Sequence, residues 1–340
     1  MSVEPPDPTD DPETEPPTEE TPAMLLSRVA ENAYWAGRYL ERAESVARLV
    51  TTHTELFIDL PKAAGLTWAP LLAVTGSEED YEQVHDDTSE EQVVSFLLAD
   101  VGHAGSVVAA LAQARDDLRI TRAMLPRRTW EAVNEAHLWA QETRRDAVDR
   151  RTRPAWTEQV IRRCHLIAGS IDATMSRDDT YSFIEIGRLV ERADMTTRVL
   201  GVEADILVAG ADEGLGAYTD ITWLAVLRSL GAEQMYRRTT GGVVDATGAV
   251  RFLLHDATFP RSVEHCLIEV SRWLLELPHQ DVPMAECAAV ERALDEAPEG
   301  RIDPADLTTF VDHLQTGLEQ LHESLRETYF LPTPSLAGAG

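Results

Sequence analysis

The chain has 340 residues, 44% of them apolar, enough for one large domain or two ordinary ones. Its formal net charge of −29 argues against nucleic-acid partners and against anionic membrane surfaces, because both require a basic footprint. No apolar run approaches the length that crosses a membrane, and no charged-then-apolar secretory leader is visible, so a cytoplasmic protein is expected.

Residues 1–22, "MSVEPPDPTDDPETEPPTEETP", are acidic, Pro-rich and almost devoid of apolar side chains. Such a segment cannot bury enough surface to offset its ordering entropy, so a disordered leader is expected. From Met24 the texture changes. Residues 71–125 and 155–259 hold no proline, and alanine, leucine, glutamate and arginine dominate. These are strong helix formers, and period-two alternation is scarce, so the fold class is all-α. Ser27 is the expected cap of the first helix, with Glu31 near its first turn. Breaks are expected at Pro61, Pro126, Pro154 and Pro278 and in the glycine-rich stretch 209–217. Asp303-Pro304 is a cap followed by proline at the first helical position, and it opens the final helix. Residues 336–340 read as a flexible tail.

The helices repeat. "GRYLERAESVAR" (37–48) returns as "GRLVERADMTTR" (187–198), an offset of 150 residues. Trp68 to Tyr81 resembles Trp223 to Tyr236, "VSFLLAD" (94–100) resembles "VRFLLHD" (250–256), and Ser106-Val107 resembles Ser262-Val263. The same features in the same order at slowly drifting spacing indicate a duplication with small insertions. The repeats span about 24–178 and 179–335, and two copies of one helical unit should pack about a pseudo-twofold axis.

Each repeat begins with the same charged helix. On a helical wheel Arg38, Glu41, Arg42, Glu44, Ser45 and Arg48 fall on one side and Leu40, Ala43, Val46, Ala47 and Val50 on the other. Glu44–Arg48 and Asp194–Arg198 are i,i+4 pairs in the favourable order, and Arg38–Glu41 and Arg188–Glu191 are i,i+3 pairs. A charged helix face is ordinarily solvated, but here apolar residues border the stripe, and the second copy is apolar almost all round. A buried charged stripe must find partners. Two copies related by a twofold supply them, so Glu41 should face Arg192 or Arg188, and Glu191 should face Arg42 or Arg38. Such a seam is either purely structural or part of a cleft that binds a ligand. Gly37 and Gly187, inside the helices, suggest a close backbone crossing.

Other constellations are weaker. Cys164, Cys266 and Cys287 fit no CxxC pair or closed disulfide framework and read as reduced, buried thiols. Glu82–His85 and Glu319–His322 are Glu-x-x-His strings, but they do not occupy equivalent repeat positions, so no metal site is expected. Tyr236, Arg237, Asp256 and Arg261 form a candidate cleft; Asp256 recurs as Asp100, whereas Pro260-Arg261 becomes Ala104-Gly105. No phosphate loop, dinucleotide fingerprint or nucleophile elbow is present, and no cofactor is expected. Lys62 is the only lysine; with the acid excess this points to a salt-rich cytoplasm, where screening weakens self-repulsion.

"MLLSRVAENAYWAGRYLERAESVARL" at 24–49 resembles the opening of the bacterial alpha-E domain family, an all-helical family named for its Glu-Arg motif. "FIEIGRLVERADMTTRVL" at 183–200 is similar to the family's second such motif, and "WLAVLRSLGAEQMYRR" and "FLLHDATFPRSVEHCL" to its later blocks. Glu41, Arg42, Glu191 and Arg192 map onto the motif. The acidic leader, the single lysine and "GHAGSV" at 102–107 depart from the family's pattern. The resemblance implies a genomic or covalent association with a circularly permuted ATP-grasp protein, often with a transglutaminase-like protease. It therefore implies a partner subunit for an ATP-grasp amide ligase that makes or modifies peptides. Two alternatives stand beside it: an enzyme using the Glu-Arg residues on a peptide or amino-acid-like substrate, and a structural homo-oligomeric scaffold.

Overall fold

The computed structural model describes residues 22–61, 65–209, 218–297 and 303–331. The acidic leader apart from Pro22, the 336–340 tail and the glycine-rich 210–217 stretch lie outside the described residues.

Among the described residues there are fourteen α-helices and no strand. Seven belong to the first repeat: α1 (Pro22–Asp59), α2 (Ala69–Thr75), α3 (Glu78–Glu82), α4 (Glu90–Ala99), α5 (Val107–Ile120), α6 (Arg127–Val148) and α7 (Arg153–Thr174). Seven follow in the second: α8 (Asp179–Ala209), α9 (Thr219–Ser229), α10 (Glu233–Thr240), α11 (Ala246–His255), α12 (Val263–Leu274), α13 (Asp281–Asp295) and α14 (Pro304–Leu325). A π-helical turn, Arg326–Phe330, closes the described chain.

The packing repeats with the sequence. Helix α1 lies on α5 and α7, and α8 lies on α12 and α14 in the same way. The repeats also exchange contacts, α1 with α9 and α8 with α2. The most extensive helix pair is α1 with α8. The expected pseudo-twofold bundle is therefore the observed architecture, with the two motif helices at its centre.

Local chemistry explains the boundaries. The Ser106 and Ser262 hydroxyls accept from the Ala109 and His265 amides, 3.1 Å each, and so cap α5 and α12. Each also donates backward, to the Asp100 and Asp256 carbonyl oxygens. The same turn thus launches the same helix twice. Asp303 accepts from the Ala305 amide at 2.9 Å with Pro304 opening α14. Pro126 precedes α6, Pro154 sits in the first turn of α7, and α1 ends before Pro61. Ser27 does not cap: α1 begins at Pro22, five residues earlier, so Ser27 lies within it.

Glycine permits the central crossing. A Cβ at Gly37 would meet the Ile184 carbonyl oxygen, and one at Gly187 the Tyr34 carbonyl oxygen, both far closer than 3.0 Å. The two contacts are twofold mates, since 34 and 184, like 37 and 187, differ by the repeat offset. Helices α1 and α8 therefore touch backbone to backbone, and any side chain at these positions would separate them.

Candidate functional site

That contact brings the two Glu-Arg stripes together inside the molecule. Glu191 on α8 is 1% exposed and Glu41 on α1 is 3% exposed. Arg42 Nε and Nη2 donate to the two Glu191 oxygens at 2.5 and 2.9 Å, a bidentate clamp. Arg38 Nε adds a third bond, 2.6 Å to Oε2. Reciprocally, Arg192 Nη2 donates to Glu41 Oε2 at 2.7 Å. Arg188 approaches Glu41 only to 4.0 Å and bonds Glu185 instead, at 2.6 Å. The i,i+3 pairs Arg38–Glu41 and Arg188–Glu191 expected within each helix do not form, because Arg38 turns to Glu191 and Arg188 to Glu185. The i,i+4 pairs do form: Arg48–Glu44 and Arg198–Asp194, both at 2.9 Å. Arg48 and Arg198 rest against Gly231 and Gly76, glycines of positive φ that end helices of the opposite repeat.

Electrostatics fix the protonation states. Burial alone would raise the Glu191 carboxyl, but Arg42 and Arg38 overcome it and hold the pKa at about 2. Burial likewise opposes the charge on Glu41, and Arg192 and Arg261 pull its pKa below the ordinary value. Glu44 is lowered against its burial by the His165 hydrogen bond and by Arg261 and Arg48. The motif glutamates are thus permanent carboxylates at neutral pH, matched to permanent guanidinium groups.

The four residues expected to rim a cleft are engaged separately. Tyr236 is fully buried, and its hydroxyl donates to the Val243 carbonyl at 3.1 Å. Arg237 pairs with Glu233, and the Asp256 carboxylate accepts from the Thr258 and Phe259 amides of its own turn. Arg261 alone joins the seam, and it is the residue whose place sequence reasoning missed. Its Nη1 and Nη2 donate to Glu41 at 2.5 Å and Glu44 at 2.7 Å. His165 on α7, also missed, meets Glu44 at 3.0 Å.

These two additions break the symmetry. The repeat counterpart of Arg261 is Gly105, and that of His165 is Gln315. Around Glu44 the seam is shut, with only about 10 Å³ of space left beside Glu41 and Glu44. Around Asp194, the counterpart of Glu44, it is open. A hollow of about 110 Å³ lies between Arg42, Gly105, Asp194 and Arg198. Another of about 430 Å³ is lined by Arg38, Asp194, Arg198, Gln315, Glu319 and His322. The Arg261-for-Gly105 difference was the signal in the sequence that one half is closed and the other not.

His322, of the Glu319–His322 string, shares a 2.8 Å hydrogen bond with the Tyr34 hydroxyl. His85 of the other string packs on the Tyr81 ring. Among the described residues no three potential ligands gather around a metal position. All three cysteines are free and buried. No helix among the described residues is long and apolar enough to cross a membrane.

The alpha-E family model, described as a predicted alpha-helical domain with a conserved ER motif, matches residues 25–330. The chain belongs to this family. Curated relatives include uncharacterised proteins of Mycobacterium bovis and of two strains of Mycobacterium tuberculosis, each 25% identical over 282 residues. The match covers 75% of this chain but only 30% of each relative, so the chain spans about a third of their length. No solved structure matches.

Proposed function

We propose that this alpha-E protein is a partner subunit of an ATP-grasp amide-ligase system acting in peptide synthesis or modification, with the ATP chemistry in the partner. The observation that carries this reading is the state of the motif glutamates. Glu191 is held by two arginines and Glu41 by Arg192 and Arg261, so neither is free to take or give a proton. The seam is built to fix the relation of α1 to α8, which suits a rigid docking body better than a catalytic centre. The family's association with circularly permuted ATP-grasp proteins supports the partner role. A transglutaminase-like protease is a further proposed member of the system, and the buried free cysteines accord with a cytoplasmic setting. Affinity capture of the full chain from its native host tests the proposal. Stoichiometric recovery of an ATP-grasp protein is expected; recovery of this chain alone, or only as a homo-oligomer, counts against it.

The hollows beside Asp194 favour one second reading, that the chain itself holds an amino-acid-like group. Arg38 and Arg198 suit its carboxylate, and Asp194 and Glu319 its ammonium. Calorimetric titration with free amino acids and dipeptides should then give binding that Asp194→Asn removes. Absence of binding by the unaltered chain eliminates this reading.

A further inference from the structure

A further cavity lies away from the charged seam, between repeat-related helices. It opens between α1, α2, α8 and α9 and holds about 210 Å³. That exceeds the roughly 150 Å³ that admits benzene in an engineered apolar cavity. Its walls are repeat mates: Leu49 faces the position of Val199, and Leu71 that of Val226, at offsets of 150 and 155 residues. Thr52, Thr67, Thr222 and Ser229 add hydroxyls to this largely apolar lining, and one mated pair is ionisable, His53 on α1 and Glu203 on α8.

The two ionisable residues are not equivalent in their satisfaction. His53 Nε2 is tied to the Thr67 carbonyl at 2.7 Å, and the ring packs edge-on against Trp68. Glu203 is 8% exposed, and its Oε1 is buried without a hydrogen-bond partner. Among the described residues no lysine or arginine lines the cavity. A dry, unpaired acceptor is costly, and here its residue lines a largely apolar chamber large enough for a ligand. The occupant that satisfies both features has an apolar body and one nitrogen-borne hydrogen-bond donor.

We infer that this chamber binds a small apolar amine, its body between Leu71 and Val226 and its ammonium on the Glu203 carboxyl. Burial raises the Glu203 pKa to about 7, and the nearby Thr222 hydroxyl, which donates to the Thr219 carbonyl at 2.9 Å, lowers it only in part. A cation held beside Glu203 would favour its carboxylate form, the displaced proton passing to solvent. The chemistry is shared by a free amine and by the N-terminal residue of an apolar peptide. The inference rests on the cavity alone and is independent of the partner role.

Isothermal titration of the full chain tests it, with 2-phenylethylamine and phenylalanine amide as probes and ethylbenzene as the hydrocarbon control. The amine should bind with Kd below about 1 mM and at least about tenfold more tightly than ethylbenzene. Glu203→Gln should weaken the amine by about tenfold or more and leave ethylbenzene unchanged. Ala225→Trp, placed in the wall, should abolish both. Binding of 2-phenylethylamine alone assigns a free amine; binding of phenylalanine amide as well assigns a peptide N-terminus. Circular dichroism reports whether each variant folds, and the amine-to-hydrocarbon ratio needs only the unaltered chain. No amine binding, equal affinity for ethylbenzene, or amine binding unaffected in both folded variants overturns the inference.

Discussion

Glu191 shows how much one side chain decides. Its carboxylate sits 1% exposed between Arg38 and Arg42. Glu191→Gln keeps the shape and removes the charge, leaving part-buried Arg42 without its counter-ion and buried Arg38 with only Asp194, at 3.7 Å. The expected loss is about 3–5 kcal/mol in denaturant unfolding. Arg198→Ala, whose side chain is 33% exposed, should cost no more than about 1 kcal/mol. Two buried carboxyls should respond to pH in opposite directions. The Glu191 pKa falls from 4.5 to about 2 on folding, so its stabilisation is full above pH 4.5 and is lost as pH drops toward 2. The Glu203 pKa rises from 4.5 to about 7, so it withdraws stability as pH climbs through that window. Glu203→Gln should therefore raise the melting temperature at pH 8 and have little effect at pH 4. An equal shift at both pH values would mean the carboxyl is not protonated in the fold. The reciprocal Glu41–Arg192 and Glu191–Arg42 pairs were legible from the sequence, because duplicating a charged stripe on a buried helix leaves each copy as the natural partner of the other. Arg261 was not legible as their third member. It lies 220 residues from Glu41, in a turn where local pattern says nothing about which way a guanidinium points.

At the scale of elements, helix against loop was written in proline spacing and caps, and Asp303-Pro304 stands where the sequence put it. Ser27 failed because several helix formers precede it, and a cap residue inside a continuing helix simply becomes part of it. The central crossing was signalled by Gly37 and Gly187, since glycine within a helix costs about 1 kcal/mol against alanine and needs a reason. The reason is the Ile184 and Tyr34 carbonyls. Gly37→Ala and Gly187→Ala should accordingly destabilise the protein by about 1–3 kcal/mol, because neither backbone can yield without separating α1 from α8. Gly169→Ala is the matched control. A Cβ there meets nothing within 4 Å, so this helical position should gain about 0.5–1 kcal/mol. Stabilisation at all three positions would show that the helices do not touch as described.

Across the whole molecule, a duplication has been made asymmetric at a few points. Arg261 and His165 seal one half of the seam, while Gly105 and Gln315 leave the other open. His53 and Glu203 give unlike ends to a chamber otherwise built from mates. The family resemblance and the internal repeat made the overall bundle readable from the sequence. The residue differences behind these departures are visible in the sequence, but their consequences were not, since those depend on where each side chain points. The −29 charge acts at this scale too. Self-repulsion of the acidic surface should be relieved by screening, so the melting temperature should rise when salt is increased from about 0.1 M to about 1 M, where the screening length falls to about 3 Å. A fall over that range would contradict a salt-adapted surface. The central claim is that two copies of one helix clamp each other through reciprocal buried ion pairs. Its most direct test is a double-mutant cycle on Glu191→Gln and Arg42→Gln, repeated on Glu41→Gln and Arg192→Gln. The account predicts a coupling of about 1–3 kcal/mol within each pair. Additivity to within about 0.5 kcal/mol in both cycles would contradict it.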